Sequence, residues 1–166
     1  HYLLKNTDNK AEKAYLINHF LEQFKGTLYR QTMFAEFEKI THKMVEEGET
    51  LTSDILCKVY YDLNKQYFGE DMVLDEEIAL EWARIPHFYN PFYVYQYATG
   101  YSAAIAIAAG ILKGDKAVKE GYKKFLSGGS SLHPIDLLKL CRIDMEKREV
   151  VQSALNVFNG LLDEWD

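Results

Sequence analysis

Residues 84–112 read RIPHFYNPFYVYQYATGYSAAIAIAAGIL, and the second half of that stretch decides the fold class. From 92 to 112 it is the least polar window of the chain, and an apolar run of about twenty residues is long enough to cross a bilayer. This one carries Gln96, Thr99, Ser102, four tyrosines and two glycines, a polar load that suits a helix buried in protein better than one in lipid. Asn90 stands where an N-cap belongs, with Pro91 at the first helical position, so the spacing predicts a helix from there to about Lys113. Ala98, Gly100, Ala103, Ala104, Ala106, Ala108, Ala109 and Gly110 cover most of its sides. A helix this thin admits neighbours on several faces, which predicts a central position in a bundle.

The flanking sequence repeats the helical period. Apolar residues at 17, 20, 21, 24, 28, 33, 37, 40 and 44 recur at i, i+3, i+4. They predict one long helix from an Asp8 cap to a stop at Gly48, roughly 60 Å at ~1.5 Å per residue, with Gly26 as the place for a bend. Thr52 caps a second helix that stops at Gly69. A third opens near Asp75 with acids where the helix dipole favours them, and ends before Pro86. Asp115 caps a fifth that ends at the loop SGGSS; Pro134 opens a short sixth, and a last helix covers 147–164. Only FYVYQY is ambiguous between helix and strand. With no repeat and no linker, residues 1–166 read as a single all-α unit, a multi-helix bundle.

Composition narrows the class further. The 166 residues are 48% hydrophobic and carry a net charge of −6, with 25 acids against 19 bases. No basic block interrupts this, so neither nucleic acid nor an anionic membrane is expected as the partner. Cys57 and Cys141 stand in apolar contexts without metal-type spacing; free, buried thiols in a reducing, cytoplasmic compartment are expected. No signal peptide is visible, and the opening HYLLKNTDNK reads as a cut end.

The histidines are unequal. His1 and His19 lack acidic partners at helical spacing. His42 lies four residues from both Glu38 and Glu46, so the three share a helix face. Such a trio can bind a metal, but a solvated, charge-laced face is the commoner use. His133 precedes a proline at a helix start, where capping or exposure is expected. LSGGSSLHP lacks the phosphate-loop pattern and reads as a connection between helices. His87 sits between Pro86 and Pro91 in a short, stiff loop, and can be either a packed core residue or a functional one. Tyr95 follows in the first turns of the next helix. A phenol and an imidazole converging there can donate hydrogen bonds to a developing oxyanion. Tyr97 and Tyr101 are expected to build core.

The stretch RIPHFYNPFYVYQYATGYSAA resembles the signature of oligoendopeptidase F, a branch of the thimet-oligopeptidase-like zinc metallopeptidases. YRQTMFAEFE, LNKQYFG and FLSGGSSLHPIDLLKLCRIDM resemble further segments in that family's order. The resemblance implies a helical fold around a deep channel, one zinc ion, and hydrolysis of short peptides. It also implies that the chain is the C-terminal portion of the catalytic domain. The zinc ligands and general base of the H-E-x-x-H helix would then precede it, with His1 just after the helix carrying the Glu ligand. Carried over residue by residue, His87 matches the substrate-binding histidine and Tyr95 the oxyanion-stabilising tyrosine. Tyr89 and Tyr93 match substrate contacts. Phe92 stands where some relatives carry Tyr. No zinc ligand falls within the chain, so alone it is expected to bind no catalytic zinc and to be inactive. Its partners would be short peptides and the missing N-terminal part. The alternative is a non-catalytic helical binding or scaffold module, selected if no H-E-x-x-H precedes His1 in the parent gene.

Overall fold

The structure is a computed structural model and describes residues 2–165. His1, and the expectation attached to it, lies outside them. The described residues are helical, with no strand among them. In chain order they form α1 (Tyr2–Lys5), α2 (Lys10–Gln23), a π-helical segment (Phe24–Tyr29) and α3 (Arg30–Glu46). Then come α4 (Ser53–Phe68), two 3₁₀ segments (Glu76–Arg84 and Pro86–Tyr89), α5 (Tyr95–Leu112), α6 (Lys116–Gly128), α7 (Pro134–Leu140) and α8 (Arg148–Trp165). They divide into two compact units: Gly26–Ala98, and the residues up to Lys25 with those from Thr99.

Local signals hold where a cap or stop acts within one turn. Thr52 accepts the Ile55 N–H, and Asp115 accepts those of Ala117 and Val118. Gly69 ends α4 at φ +83°, a conformation that a side chain would strain. Three expectations shift. The first long helix is capped by Asn9 rather than Asp8, because the Asn9 side chain reaches the Ala11 and Glu12 amides. Its expected bend at Gly26 takes the form of a π-helical segment, whose widened ring frees the Gly26 carbonyl to accept from the Gln31 side chain. The third helix is 3₁₀ rather than α. Its three-residue turn stacks Glu81 under Arg84, and the two form an ion pair.

The fourth helix departs most. It begins at Tyr95, not at Pro91. Asn90 instead closes the Pro86–Tyr89 turn by donating its N–H to the His87 carbonyl, and Phe92 takes φ +60°, which no helix can include. Nor is α5 packed on all sides. Ala103 and Ile107 are buried, but Gly100, Ala104 and Ala108 are exposed along an apolar groove of about 400 Å³.

In the Gly26–Ala98 unit, Met33, Phe34 and Phe37 of α3 meet Tyr60 and Leu63 of α4, with Ile85 and Val94 completing the core. Ile85 and Val94 are thus buried anchors at either end of the 86–93 segment. Burial of such aliphatic side chains contributes roughly 1.5–3 kcal/mol each. Between them Phe88 packs against Phe34 and Phe37, ring centroids 5.5 and 5.2 Å apart. The segment is held at three apolar points, and its polar residues face outward.

In the other unit, Ala103, Ile107, Val118, Cys141, Ile143 and Val150 form a core. Phe24 makes a second contact centre, packing on Phe20, Tyr101 and Phe158. Helix α6 crosses the end of α7 at Gly121, where a Cβ would lie 2.0 Å from the Leu140 carbonyl oxygen and 3.0 Å from Cys141 Cα. Backbone cannot yield as a side-chain tip can, so Gly121→Ala is expected to destabilise this unit by about 1–3 kcal/mol. A urea-unfolding midpoint unchanged from wild type would contradict this close approach.

Candidate functional site

The 86–97 segment gathers the residues singled out by sequence. His87 is half-buried beside the Phe88 anchor. Tyr93 stacks on it, with ring centroids 5.8 Å apart and planes 13° from parallel. Tyr97 meets it edge-on at 5.8 Å, and its hydroxyl lies 3.3 Å from His87 Nε2. Tyr93 and Tyr97 also contact each other, at 5.6 Å. Three rings therefore close on one another, and the imidazole is oriented from two sides.

Tyr95, the first residue of α5, is 51% exposed. Tyr89 ends the 3₁₀ turn at 86% exposed and stands apart from the ring cluster as an open phenol. The sequence led us to expect His87 beside Tyr95, whereas the rings that meet the imidazole are those of Tyr93 and Tyr97. Tyr97 differs from expectation: it belongs to the His87 cluster rather than to the core. It lies four residues beyond Tyr93, in the first turn of α5, and with Tyr93 turned onto His87 it completes the cluster. A hydrogen bond with Tyr93, then loss of solvent, raises the Tyr97 phenol above its ordinary value. Tyr101 keeps its core role, edge-on to Phe24 at 5.1 Å; burial pushes its phenol up to about 12.

The charge-laced face proposed for Glu38, His42 and Glu46 is overturned at Glu38, which is only 3% exposed. Its Oε1 accepts the Phe92 N–H at 2.9 Å, and its other oxygen is buried without a partner. His42 Nδ1 lies 2.8 Å from the Glu38 carbonyl, an acceptor only, so this nitrogen carries the proton. The His42 ring rests 4.6 Å from that of Phe92. A non-glycine residue at positive φ costs about 1–3 kcal/mol and persists only where its surroundings hold it. Here a buried carboxylate and an aromatic contact do so. The signal that could have found Glu38 was its register, since it lies in line with Phe34 and Thr41 on the buried face of α3.

Among the described residues no three of His, Cys, Asp and Glu converge to hold a metal. None of their helices is long and apolar enough to cross a membrane. Cys57 and Cys141 are free thiols; Cys141 is buried as expected, but Cys57 is only partly so. What the segment offers chemically is a set of phenol and imidazole donors, held on a stiff turn and partly open to solvent.

Comparison with known proteins assigns the family. The sequence model of Peptidase family M3 matches residues 1–157. Oligopeptidase PepF of Bacillus subtilis (strain 168) is 53% identical over 165 residues, covering 99% of this chain and 25% of that protein. Chromosomal oligoendopeptidase F of Lactococcus lactis subsp. cremoris is 43% identical over 162 residues, covering 98% of this chain and 27% of that protein. The crystal structure of oligoendopeptidase-F from Enterococcus faecium matches with a TM-score of 0.96 at 42% identity, covering 99% of this chain and 32% of that one. The chain spans about a quarter of the length of the relatives it matches. With the family model extending over nearly its whole length, the chain belongs to Peptidase family M3.

Proposed function

We propose that this chain is the C-terminal, substrate-facing part of a zinc-dependent oligoendopeptidase that hydrolyses short peptides. The observation that carries the reading is the ring cluster of His87, Tyr93 and Tyr97, with Tyr95 opening the next helix, on a chain of this family. When water adds to a peptide carbonyl, its oxygen gains negative charge. Tyr95 donates its hydroxyl proton in a hydrogen bond to that oxygen. His87, oriented by Tyr93 and Tyr97, binds the peptide beside it, and Tyr89 and Tyr93 supply aromatic contacts along the substrate.

The described residues do not make a zinc site. Its ligands, and the general base, would belong to another part of the enzyme. The chain alone would accordingly be inactive, and the enzyme would work in the cytoplasm on peptides, not on nucleic acid or membrane.

The test is His87→Ala in a full-length enzyme carrying this segment. Loss of one charge-assisted or well-oriented hydrogen bond predicts a fall in kcat/KM of roughly 10–100-fold. Circular dichroism should be unchanged, because Ile85, Phe88 and Val94 still anchor the turn. A wild-type kcat/KM would favour the alternative of a helical module without chemistry.

A further inference from the structure

We propose that Glu38 is a positioning residue, which sets the tyrosines of the site by gripping Phe92. The proposal rests on the functional reading above and extends it to a residue of another helix. Glu38 is buried on α3, and its Oε1 accepts the Phe92 N–H, 54 residues away, at 2.9 Å. One turn along the same helix, the His42 ring lies against the Phe92 ring at 4.6 Å. Helix α3 therefore holds Phe92 by its amide and by its side chain together.

Phe92 is the pivot of the site. Before it come His87 and Tyr89; directly after it come Tyr93, stacked on His87, and Tyr95, the first residue of α5. Its φ of +60° sets the direction in which the chain leaves the turn. If that angle relaxes to the ordinary helical or extended range, Tyr93 turns off the imidazole and the start of α5 moves with Tyr95. What prevents this is the Glu38 carboxyl, whose Oε1 accepts the Phe92 N–H. Its second oxygen has no partner, so the carboxylate is not a link in a larger polar network. An acid buried with one bond, to the amide of a strained residue in the site, is placed to hold that residue.

The experiment uses a full-length enzyme carrying this segment, with Glu38→Ala and Glu38→Gln. Two readouts are taken: steady-state kinetics, and hydrogen exchange of peptides covering 88–97 and 53–68. In Glu38→Ala, kcat is expected to fall about 10-fold or more with KM within about threefold, because the donors are misplaced rather than removed. Exchange across 88–97 should quicken while α4 keeps its protection, which separates a loosened turn from a loosened fold. Glu38→Gln retains an oxygen for the Phe92 N–H and should restore both readouts most of the way.

Should Glu38→Ala fail to fold, Glu38→Asp substitutes for it. It keeps the carboxyl but withdraws the oxygen by about one C–C bond, ~1.5 Å, and should show the same two effects. Unchanged exchange at 88–97 overturns the grip on Phe92. Quickened exchange with normal kcat, while Tyr95→Phe and His87→Ala are impaired, overturns the positioning role alone. If Tyr95→Phe and His87→Ala are themselves normal, the functional reading has failed and the proposal fails with it.

Discussion

Tyr95→Phe, in a full-length enzyme carrying this segment, is expected to lower kcat by about 10²–10³-fold, a loss of roughly 3–4 kcal/mol of transition-state stabilisation. The hydroxyl gains most where charge develops on the carbonyl oxygen, so its removal acts on the transition state more than on bound peptide. KM should therefore stay within about threefold. Tyr95 is half exposed at the first position of α5, so losing one oxygen leaves packing intact and the unfolding midpoint unchanged. The cluster geometry supplies the control. Tyr97 lies beside His87, so Tyr97→Phe removes a hydroxyl 3.3 Å from the imidazole while keeping the ring contacts. If Tyr97→Phe loses kcat and Tyr95→Phe does not, the donor to the oxyanion is Tyr97 and the assignment to Tyr95 is wrong. If neither loses it, the phenols serve only to pack the turn.

The largest expected effect on stability is at Glu81. This nearly buried carboxylate accepts from Arg30 at 2.5 Å, from the Tyr60 hydroxyl at 2.6 Å, and from Arg84. Arg30 also lies over the Phe34 ring, 4.9 Å from its centroid, so the network is continuous with the core. Glu81→Ala would leave a fully buried phenol and a guanidinium without their acceptor. Breaking a fully buried pair costs about 3–5 kcal/mol; because Arg30 remains about a third exposed, roughly 2–4 kcal/mol is expected here.

The same network gives the effect a pH signature. Burial alone would raise the Glu81 pKa, but hydrogen bonds from Tyr60 and Arg30 and the charges of Arg30 and Arg84 outweigh it. Together they hold the carboxyl below its ordinary 4.5. A carboxylate with a depressed folded pKa contributes its full stabilisation above the unfolded value and loses it as pH falls through the folded one. The gap in urea midpoint between wild type and Glu81→Ala should therefore be widest near neutrality and close progressively below about pH 4.5. A gap that stays constant down to pH 2–3 would show that Glu81 acts by packing and not by charge.

The features legible in the sequence are those whose physics stays within a few residues. A Thr or Asp oxygen that caps the next turn, a proline that opens a helix and a glycine that ends one act over three or four positions. The elements at 53–68, 116–128, 134–140 and 148–165 follow from them almost to the residue. The all-helical class followed from period and polarity, since tyrosines and small polar groups mark 92–112 as helix within protein. The family was legible as well, through a histidine and tyrosines at spacings that resemble its signature.

What escaped depended on distant partners. Nothing near Asn90 and Pro91 forbids a helix there; the start moves to Tyr95 because a carboxylate 54 residues earlier holds the Phe92 amide at positive φ. Glu38 and Glu46 look alike at helical spacing, yet Glu38 is buried against that amide and Glu46 is exposed. Tyr97 and Tyr101 also look alike, one turn apart, yet one meets an imidazole and the other packs on Phe24. Glu81 gathers two arginines and a phenol from three separate elements. Burial and partnership are properties of contacts between segments, and no local window contains them. Helices can therefore be read from pattern, while the carboxyl that meets the Phe92 amide appears only once the chain has folded back on itself.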